Sequence, residues 1–214
     1  MNKQVKALIP LVLNAVLSGI MISVGGAVYL LCDNKIMGSF LFSFGLFTIV
    51  QRGFALYTGK VGYIPENSNG YIIETLVTLV GNMIGTAFGA LLLKQTRFAD
   101  TLCEKAAASM EIKTGDSFVS QFVLGAFCGM LMYLAVDNAK ECRKKQADMS
   151  LVFGVCLPVM IFIICGFNHS IADAFYMFTA DAFPKNLPYI LTVAAGNAAG
   201  GMMIPIIKKI SSLQ

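Results

Sequence analysis

His169 is the only histidine in this chain of 214 residues, and it lies where an apolar segment is interrupted. Imidazole exchanges protons near neutral pH, so a histidine in such a place can pass a proton to a permeating molecule. The alternative is a neutral histidine that only hydrogen-bonds to the helix ends. Asp173 follows four residues later, so a resumed helix would bring its carboxylate to the same face and favour the imidazolium form. Otherwise Asp173 caps a helix or reaches across to another one.

The composition requires that these residues be positioned by helices inside a membrane. The chain is 57% hydrophobic and 13% charged, with a mean hydropathy of +0.72. Because a helix needs about 20 apolar residues to cross about 30 Å of hydrocarbon, this length predicts six spans in one channel domain over residues 1–214. Four segments are uninterrupted, 8–31, 71–93, 118–136 and 187–207, and two are broken, 38–50 at Gln51 to Gly53 and 149–165 at Gly166 to His169. We expect the first segment to be a retained span rather than a signal peptide.

Each broken segment is followed by the same short motif, which indicates an internal repeat. Gly53-Phe54 follows the first and Gly166-Phe167 the second. A GNxxG motif begins 28 residues after Gly53 and 30 after Gly166, and it contains Asn82 and Asn197 respectively. Three helices occurring twice predict an inverted repeat, about 8–94 and 117–209, whose broken second and fifth helices meet near the midplane. The small residues also allow close helix contact, and each asparagine amide can bond an exposed carbonyl.

The distribution of basic residues predicts the orientation. With both termini in the cytoplasm, the inner segments carry the densest basic cluster, at 140–145. The remaining inner residues are Lys3, Lys6, Lys60, Lys208 and Lys209. Lys113, just before the fourth span, then lies outside, where it either lines an electropositive vestibule or is merely interfacial. We expect a multi-pass protein of the cell inner (plasma) membrane.

Several functions are not supported by the sequence. It contains no nucleotide-binding fingerprint, no metal-spaced group of His or Cys, and no base for a nucleophile beyond His169, so we expect neither an enzyme nor a cofactor. The net charge of +4 is small and scattered, which argues against nucleic acid as a partner. Leu46, Tyr57 and Phe162 flank the two breaks, where they either form apolar constrictions or simply pack.

At these residues the chain resembles the formate/nitrite transporter family. The resemblance rests on Gly166-Phe167-Asn168-His169-Ser170-Ile171-Ala172-Asp173, on Ala55-Leu56-Tyr57-Thr58-Gly59-Lys60, on both GNxxG motifs, on Ser18-Gly19 with Gly25-Gly26, on Lys113 and on Leu134-Ala135-Val136. It covers nearly the whole chain. It implies an aquaporin-like homopentamer whose protomers each pass small monovalent anions or their acids, such as formate, nitrite or hydrosulfide.

The resemblance also implies roles for particular residues. His169 would be the central proton-exchanging residue and Thr58 the threonine of the first-half loop. Leu46 with Tyr57 would form one constriction and Phe162 the other. Four positions depart from the family motifs: Ala55 replaces an acidic residue, Lys60 an asparagine, Asn168 a glutamate and Asp173 an asparagine.

The sequence therefore predicts a channel in which an anion is drawn to an outer vestibule near Lys113 and is neutralised by a proton from His169. Neutralisation matters because a bare charge at the bilayer centre costs several kcal/mol or more. Two alternatives remain. One is a non-conducting membrane scaffold subunit that has lost the pore, and the other is a channel for a different small solute, suggested by Asp173.

Overall fold

The computed structural model describes residues 3–211, with side chains from residue 8 onward, and this part of the chain is helical without strands. Residues 1, 2 and 212–214, which the predicted domain includes, lie outside the described part. The elements in 3–211 are α1 (Lys3–Leu31), α2 (Lys35–Arg52), α3 (Tyr57–Lys60), a 3-10 turn (Val61–Glu66), α4 (Asn69–Leu93), α5 (Ala99–Gly115), α6 (Phe118–Lys144), α7 (Asp148–Ile164), α8 (Ser170–Thr179) and α9 (Leu187–Ser211). The all-α prediction is confirmed.

The four uninterrupted segments form helices that are long and apolar enough to cross a membrane. These are Leu8–Leu31 within α1, and all of α4, α6 and α9. Helix α6 extends to Lys144, beyond the predicted end at Val136, so the basic cluster begins on a helix. Good helix formers such as Ala139 continue α6, and Lys144 pairs with Glu141 one turn earlier at 2.8 Å.

Both interruptions are breaks in the helices, and both preceding helices end in the same way. Helix α2 and the segment Tyr57–Glu66 together are long and apolar enough for one membrane span, which is bent by 59° at the break. Helix α7 is an apolar helix of 17 residues, and α8 follows it after a gap. Gly53 and Gly166 take φ of 69° and 71°, a conformation that favours glycine. The amide of the next phenylalanine bonds the carbonyl five residues earlier, at 3.0 Å for Phe54 and 2.9 Å for Phe167.

The segment between the two halves is a helix, which the sequence analysis did not predict. Helix α5 has polar side chains at about half of its positions, but Leu102, Ala106 and Met110 repeat at intervals of four and are buried. This stripe packs against α8 and α1, and it places Lys113 beside the second break. Burial of the stripe explains why a polar segment is ordered here.

The helix pairs α1 with α4 and α6 with α9 form equivalent close contacts in the two halves. A Cβ atom on Gly85 would overlap the carbonyl of Val16, and one on Gly200 would overlap the carbonyl of Ala126. Glycine therefore lets the backbones touch, as expected for small residues at helix interfaces in membranes. Helix α2 packs against α7, and α8 against α4, so the broken helices lie between the two pairs.

Candidate functional site

The first break is held by the side chain of Asn82, which is fully buried on α4. Its Oδ1 accepts a hydrogen bond from the amide of Tyr57 at 2.8 Å. Its Nδ2 donates to the carbonyl of Ala15 on α1 at 2.8 Å and to that of Ala55 at 2.9 Å. One side chain thus satisfies two backbone groups that the break leaves free, which is required in a region without water.

The second break is held in the same way by Asn197 on α9. Its Oδ1 accepts from the amide of Ser170 at 2.9 Å, and its Nδ2 donates to the carbonyls of Gly125 and Asn168 at 2.8 and 2.9 Å. The matched bonds pair Ala55 with Asn168 and Tyr57 with Ser170. The residue between each pair also corresponds, so the first-half counterpart of His169 is Leu56.

His169 and Thr58 form a buried pair that joins the two breaks. Their exposed fractions are 1% and 0%, and Thr58 Oγ1 lies 3.0 Å from His169 Nε2. His169 is the N-cap of α8, and its Nδ1 accepts from the amide of Ala172 at 3.2 Å. Because Nδ1 accepts, the neutral ring carries its hydrogen on Nε2 and donates it to the Thr58 hydroxyl. The Thr58 hydroxyl then has its own hydrogen left to donate.

Two phenylalanines form an apolar cluster beside the His169 ring, and one of them stacks on it. The ring of Phe162 stacks on that of His169 with centroids 5.4 Å apart and planes at 26°. The ring of Phe42 meets Phe162 edge-on at 6.0 Å. Both phenylalanines are buried, and they come from α2 and α7. They give one face of the ring an apolar cover and, with His169, line the space beside it.

That space is a cavity of about 180 Å³, called here the second cavity. It lies among α5, the end of α7 and the start of α8, and its wall includes His169, Phe162, Phe42, Lys113 and Asp173. The cavity thus reaches from the imidazole ring to polar groups of α5 and α8.

The charged groups of the second cavity are paired with each other. Lys113 Nζ lies 3.1 Å from Asp173 Oδ1 and donates to Asn168 Oδ1 at 2.9 Å. The other carboxylate oxygen of Asp173 accepts from the Tyr189 hydroxyl at 2.8 Å. Asp173 is buried, and the Lys113 side chain is 17% exposed. This network ties α5 and α9 to the second break.

The pairing decides between the alternatives for Asp173. The hypothesis that Asp173 pairs with His169 is wrong, because the carboxylate reaches across to α5 and α9 while the ring nitrogens bond Thr58 and Ala172. Lys113 lines the second cavity, yet its charge is balanced by Asp173. It is therefore not a free cation of an electropositive vestibule in this structure.

Another cavity lies at the first break, and because of its place it is called here the first cavity. Its volume is about 220 Å³, and its apolar wall includes Leu46 and Leu56. Three cations also line it, namely Lys60, Lys140 and Arg143. Leu56 and Gly59, on either side of Thr58 in the chain, line the first cavity, and His169 lines the second, so the buried Thr58–His169 pair lies between the two cavities.

The resemblance places Tyr57 in a constriction with Leu46, but in the structure Leu56 lies beside Leu46 and Tyr57 anchors the break. The Tyr57 ring is buried, and its hydroxyl donates to the carbonyl of Ala194 on α9 at 3.0 Å. Leu56 lines the first cavity beside Leu46. The added hydroxyl of Tyr57 therefore fastens the first break to α9, and the aliphatic wall comes from the two leucines.

Leu56, Phe42 and Arg143 are site residues that the sequence analysis missed. Leu56 lies three residues after Gly53, as His169 does after Gly166, so the repeat contained the signal. Phe42 precedes Leu46 by one helical turn and shares its face of α2. Arg143 bonds the carbonyl of Val50, which no local pattern in the sequence indicates.

Together, the matched breaks, the paired helices and the buried histidine define a membrane-embedded protein with an aquaporin-like fold. A sequence model of the family described as "Formate/nitrite transporter" matches residues 1–208. The chain belongs to the formate/nitrite transporter family. Membership of a transporter family confirms the prediction that the protein is not an enzyme.

The curated relatives share about a quarter of their aligned residues with this chain. Formate channel FocB of Escherichia coli (strain K12) is 23% identical over 195 residues, which are 81% of this chain and 67% of the relative. Formate channel FocA of the same strain is 26% identical over 182 residues, or 75% and 62% of the two chains. The chain thus spans about two thirds of the length of these relatives.

Solved structures share the fold closely. A structure described as "Pentameric formate channel with formate bound" superposes with a TM-score of 0.80 at 24% identity, covering 98% of this chain and 99% of the other. One described as "FNT family ion channel" also gives a TM-score of 0.80, at 18% identity, over 95% and 90% of the chains. The predicted fold class is confirmed.

Proposed function

We propose that the protein is a channel for small monovalent anions of the formate, nitrite or hydrosulfide class, which cross as weak acids. Support comes from the family and from the names of relatives that are formate channels. The observation that carries the proposal is the buried Thr58–His169 pair between two cavities, with the ring nitrogen and the hydroxyl 3.0 Å apart. Polar side chains are costly inside a membrane, and a permeating anion would be the group with which this pair exchanges a proton.

The mechanism follows from the cost of charge in an apolar passage. An anion that leaves the first cavity meets Leu46 and Leu56, and one that leaves the second meets Phe42 and Phe162. A bare charge between these walls is expensive, whereas the neutral acid does not carry that charge. The anion takes one proton on entering this region and releases one on leaving it. A proton from water on the side of entry first charges the His169 ring, which passes its Nε2 proton to the Thr58 hydroxyl as that hydroxyl gives its own proton to the anion. The ring is then neutral again, and the acid releases its proton to water on the side of exit.

The same observations support the proposed domain organisation and the proposed pathway residues. The single domain over 1–214 contains repeats of about 8–94 and 117–209, each supplying one break and one asparagine. The pathway residues are His169, Thr58, Leu46, Phe162, Lys113 and Asp173. Asn168, Tyr57, Asn82 and Asn197 hold that pathway in shape.

We also propose a homopentamer in the plasma membrane with both termini in the cytoplasm. The pentameric description of the structural neighbour supports the assembly. The basic cluster at the end of α6 supports the orientation, since such clusters stay on the cytoplasmic side. Native mass spectrometry would test the first, and labelling of a cysteine introduced near Lys144 from either side of the membrane would test the second.

The test is stopped-flow uptake of formate, nitrite, hydrosulfide and ammonium into liposomes across a range of pH. We expect uptake of at least one of the anions, and its loss in the His169→Asn variant at equal protein content. Unchanged flux in that variant at every pH contradicts the role of the histidine. No flux of any solute favours the scaffold alternative, and selective ammonium flux favours the different-solute alternative.

A further inference from the structure

The first cavity differs from the second in that cations and no carboxylate line it. We propose that it is an anion-binding site, in which Lys140 and Arg143 hold a small carboxylate before it passes Leu46 and Leu56. This inference rests on the proposed function, since the carboxylate is the permeant anion. It moves the point of anion capture from Lys113 to the opposite break.

The partners of the cations support this assignment. Lys60 is paired with Glu74 at 3.2 Å. Lys140 Nζ lies 3.2 Å from the centre of the Tyr63 ring, and Arg143 donates from Nη2 to the carbonyl of Val50 and to Gln51 Oε1. Within residues 3–211, neither Lys140 nor Arg143 forms an ion pair.

The acidic residues of α6 near Lys140 also have other partners, and Glu141 pairs with Lys144 at 2.8 Å. Asp137, one turn before Lys140, lies 3.3 Å from Lys208 Nζ and accepts from the Tyr63 hydroxyl at 3.2 Å. The direct partners of Lys140 and Arg143 are therefore neutral groups, and the carboxylates of Asp137 and Glu66 act on Lys140 only from beyond ion-pair distance. In the second cavity, by contrast, Asp173 is bonded directly to Lys113.

The chemistry of these groups suits a small carboxylate. A guanidinium group has five donors, and both bonds of Arg143 use Nη2, so donors on the other nitrogens remain for a planar oxyanion. Lys140 adds a compact charge nearby on the same helix. The cavity volume of about 220 Å³ holds formate together with several waters, since one water occupies about 30 Å³. The leucine wall then separates the bound anion from Thr58.

The experiment measures the initial rate of formate uptake into liposomes against formate concentration. The variants are Lys140→Gln, Arg143→Gln and the double variant. Lys144→Gln is the matched control, because it makes the same charge change on the same helix at a residue that pairs with Glu141 outside the first cavity. Lys140→Gln guards against misfolding, because within 3–211 Lys140 contacts the Tyr63 ring and forms no hydrogen bond.

We expect the double variant to raise the half-saturating formate concentration roughly three- to tenfold, with little change in maximal rate. Inert salt should raise it in the wild type and have less effect in the double variant, since ions screen exposed charges. Equal half-saturation in the wild type and the double variant overturns the inference. A rise in the Lys144→Gln control equal to the rise in either single variant also overturns it.

Formate binding is measured separately by saturation-transfer NMR on the same proteins in detergent. Binding that the double variant loses, in a wild type that shows no uptake, supports the site and contradicts the proposed function. Uptake in the wild type with binding unaffected by the double variant contradicts the site and leaves the proposed function standing.

Discussion

The two breaks share one backbone design but differ in the side chains that they present. Each follows a glycine with φ near 70°, and each is clamped by a buried asparagine through three bonds to backbone. At the matched central position the first break has Leu56 and the second has His169. Cations and no carboxylate line the first cavity, whereas the second contains the Lys113–Asp173 pair. The backbone design is thus a common support, and under the proposed mechanism the side chains of the first break capture the anion while those of the second exchange the proton.

The largest effect is expected where the two breaks differ most, at Asp173. Asp173→Asn leaves the charge of Lys113 without its carboxylate in a largely buried place, which should lower the free energy of unfolding by about 3 kcal/mol. Thermal unfolding of the detergent-solubilised protein measures this loss. The double variant Lys113→Gln with Asp173→Asn should recover more than half of it. Additive losses in the double variant would show that the two residues act independently.

The asparagines should be equivalent. Asn82→Leu and Asn197→Leu each remove three hydrogen bonds to backbone at a break. Since such bonds in membrane proteins average about 0.6 kcal/mol, each variant should lose roughly 2 kcal/mol. Unfolding temperatures provide the comparison, with exposed Asn138→Ala as the control. A loss at one break alone would mean that the breaks are not held in the same way.

The Thr58 hydroxyl should matter more to flux than to folding. Thr58→Val keeps the shape and removes the oxygen that accepts from His169 Nε2. Loss of one such bond is worth about 1.4 kcal/mol, so formate uptake should fall about tenfold. The Thr58→Ser variant retains the hydroxyl, so its formate uptake should stay within about twofold of the wild-type rate. Equal uptake by the valine and serine variants would exclude the hydroxyl from the relay.

The smallest effect is expected at the glycines. Gly53→Ala and Gly166→Ala add a Cβ with nothing within 4 Å, so their cost is only that of the positive φ. That cost is about 1 kcal/mol at each position, and the two should add in the double variant. Unfolding temperatures again give the answer. Markedly unequal losses would indicate that one break is relaxed by the substitution.

The sequence predicted the repeated features well because each is local. Glycine marks both breaks, and the GNxxG motifs identify both clamping asparagines. The pairing of Lys113 with Asp173 could not be predicted, because it joins residues 60 positions apart through a helix that the polar sequence of α5 concealed. The buried stripe of Leu102, Ala106 and Met110 was the available signal for that helix. Arg143 was missed because it bonds a carbonyl, which any residue offers.

The most direct test of proton exchange at the Thr58–His169 pair is the number of protons that cross with each formate. Formate uptake and internal pH are recorded together in liposomes containing the protein, with protein-free liposomes as the background. The account predicts one proton per formate and no dependence on membrane potential, because the permeant crosses as the neutral acid. Uptake that follows the membrane potential without a change in internal pH would contradict it.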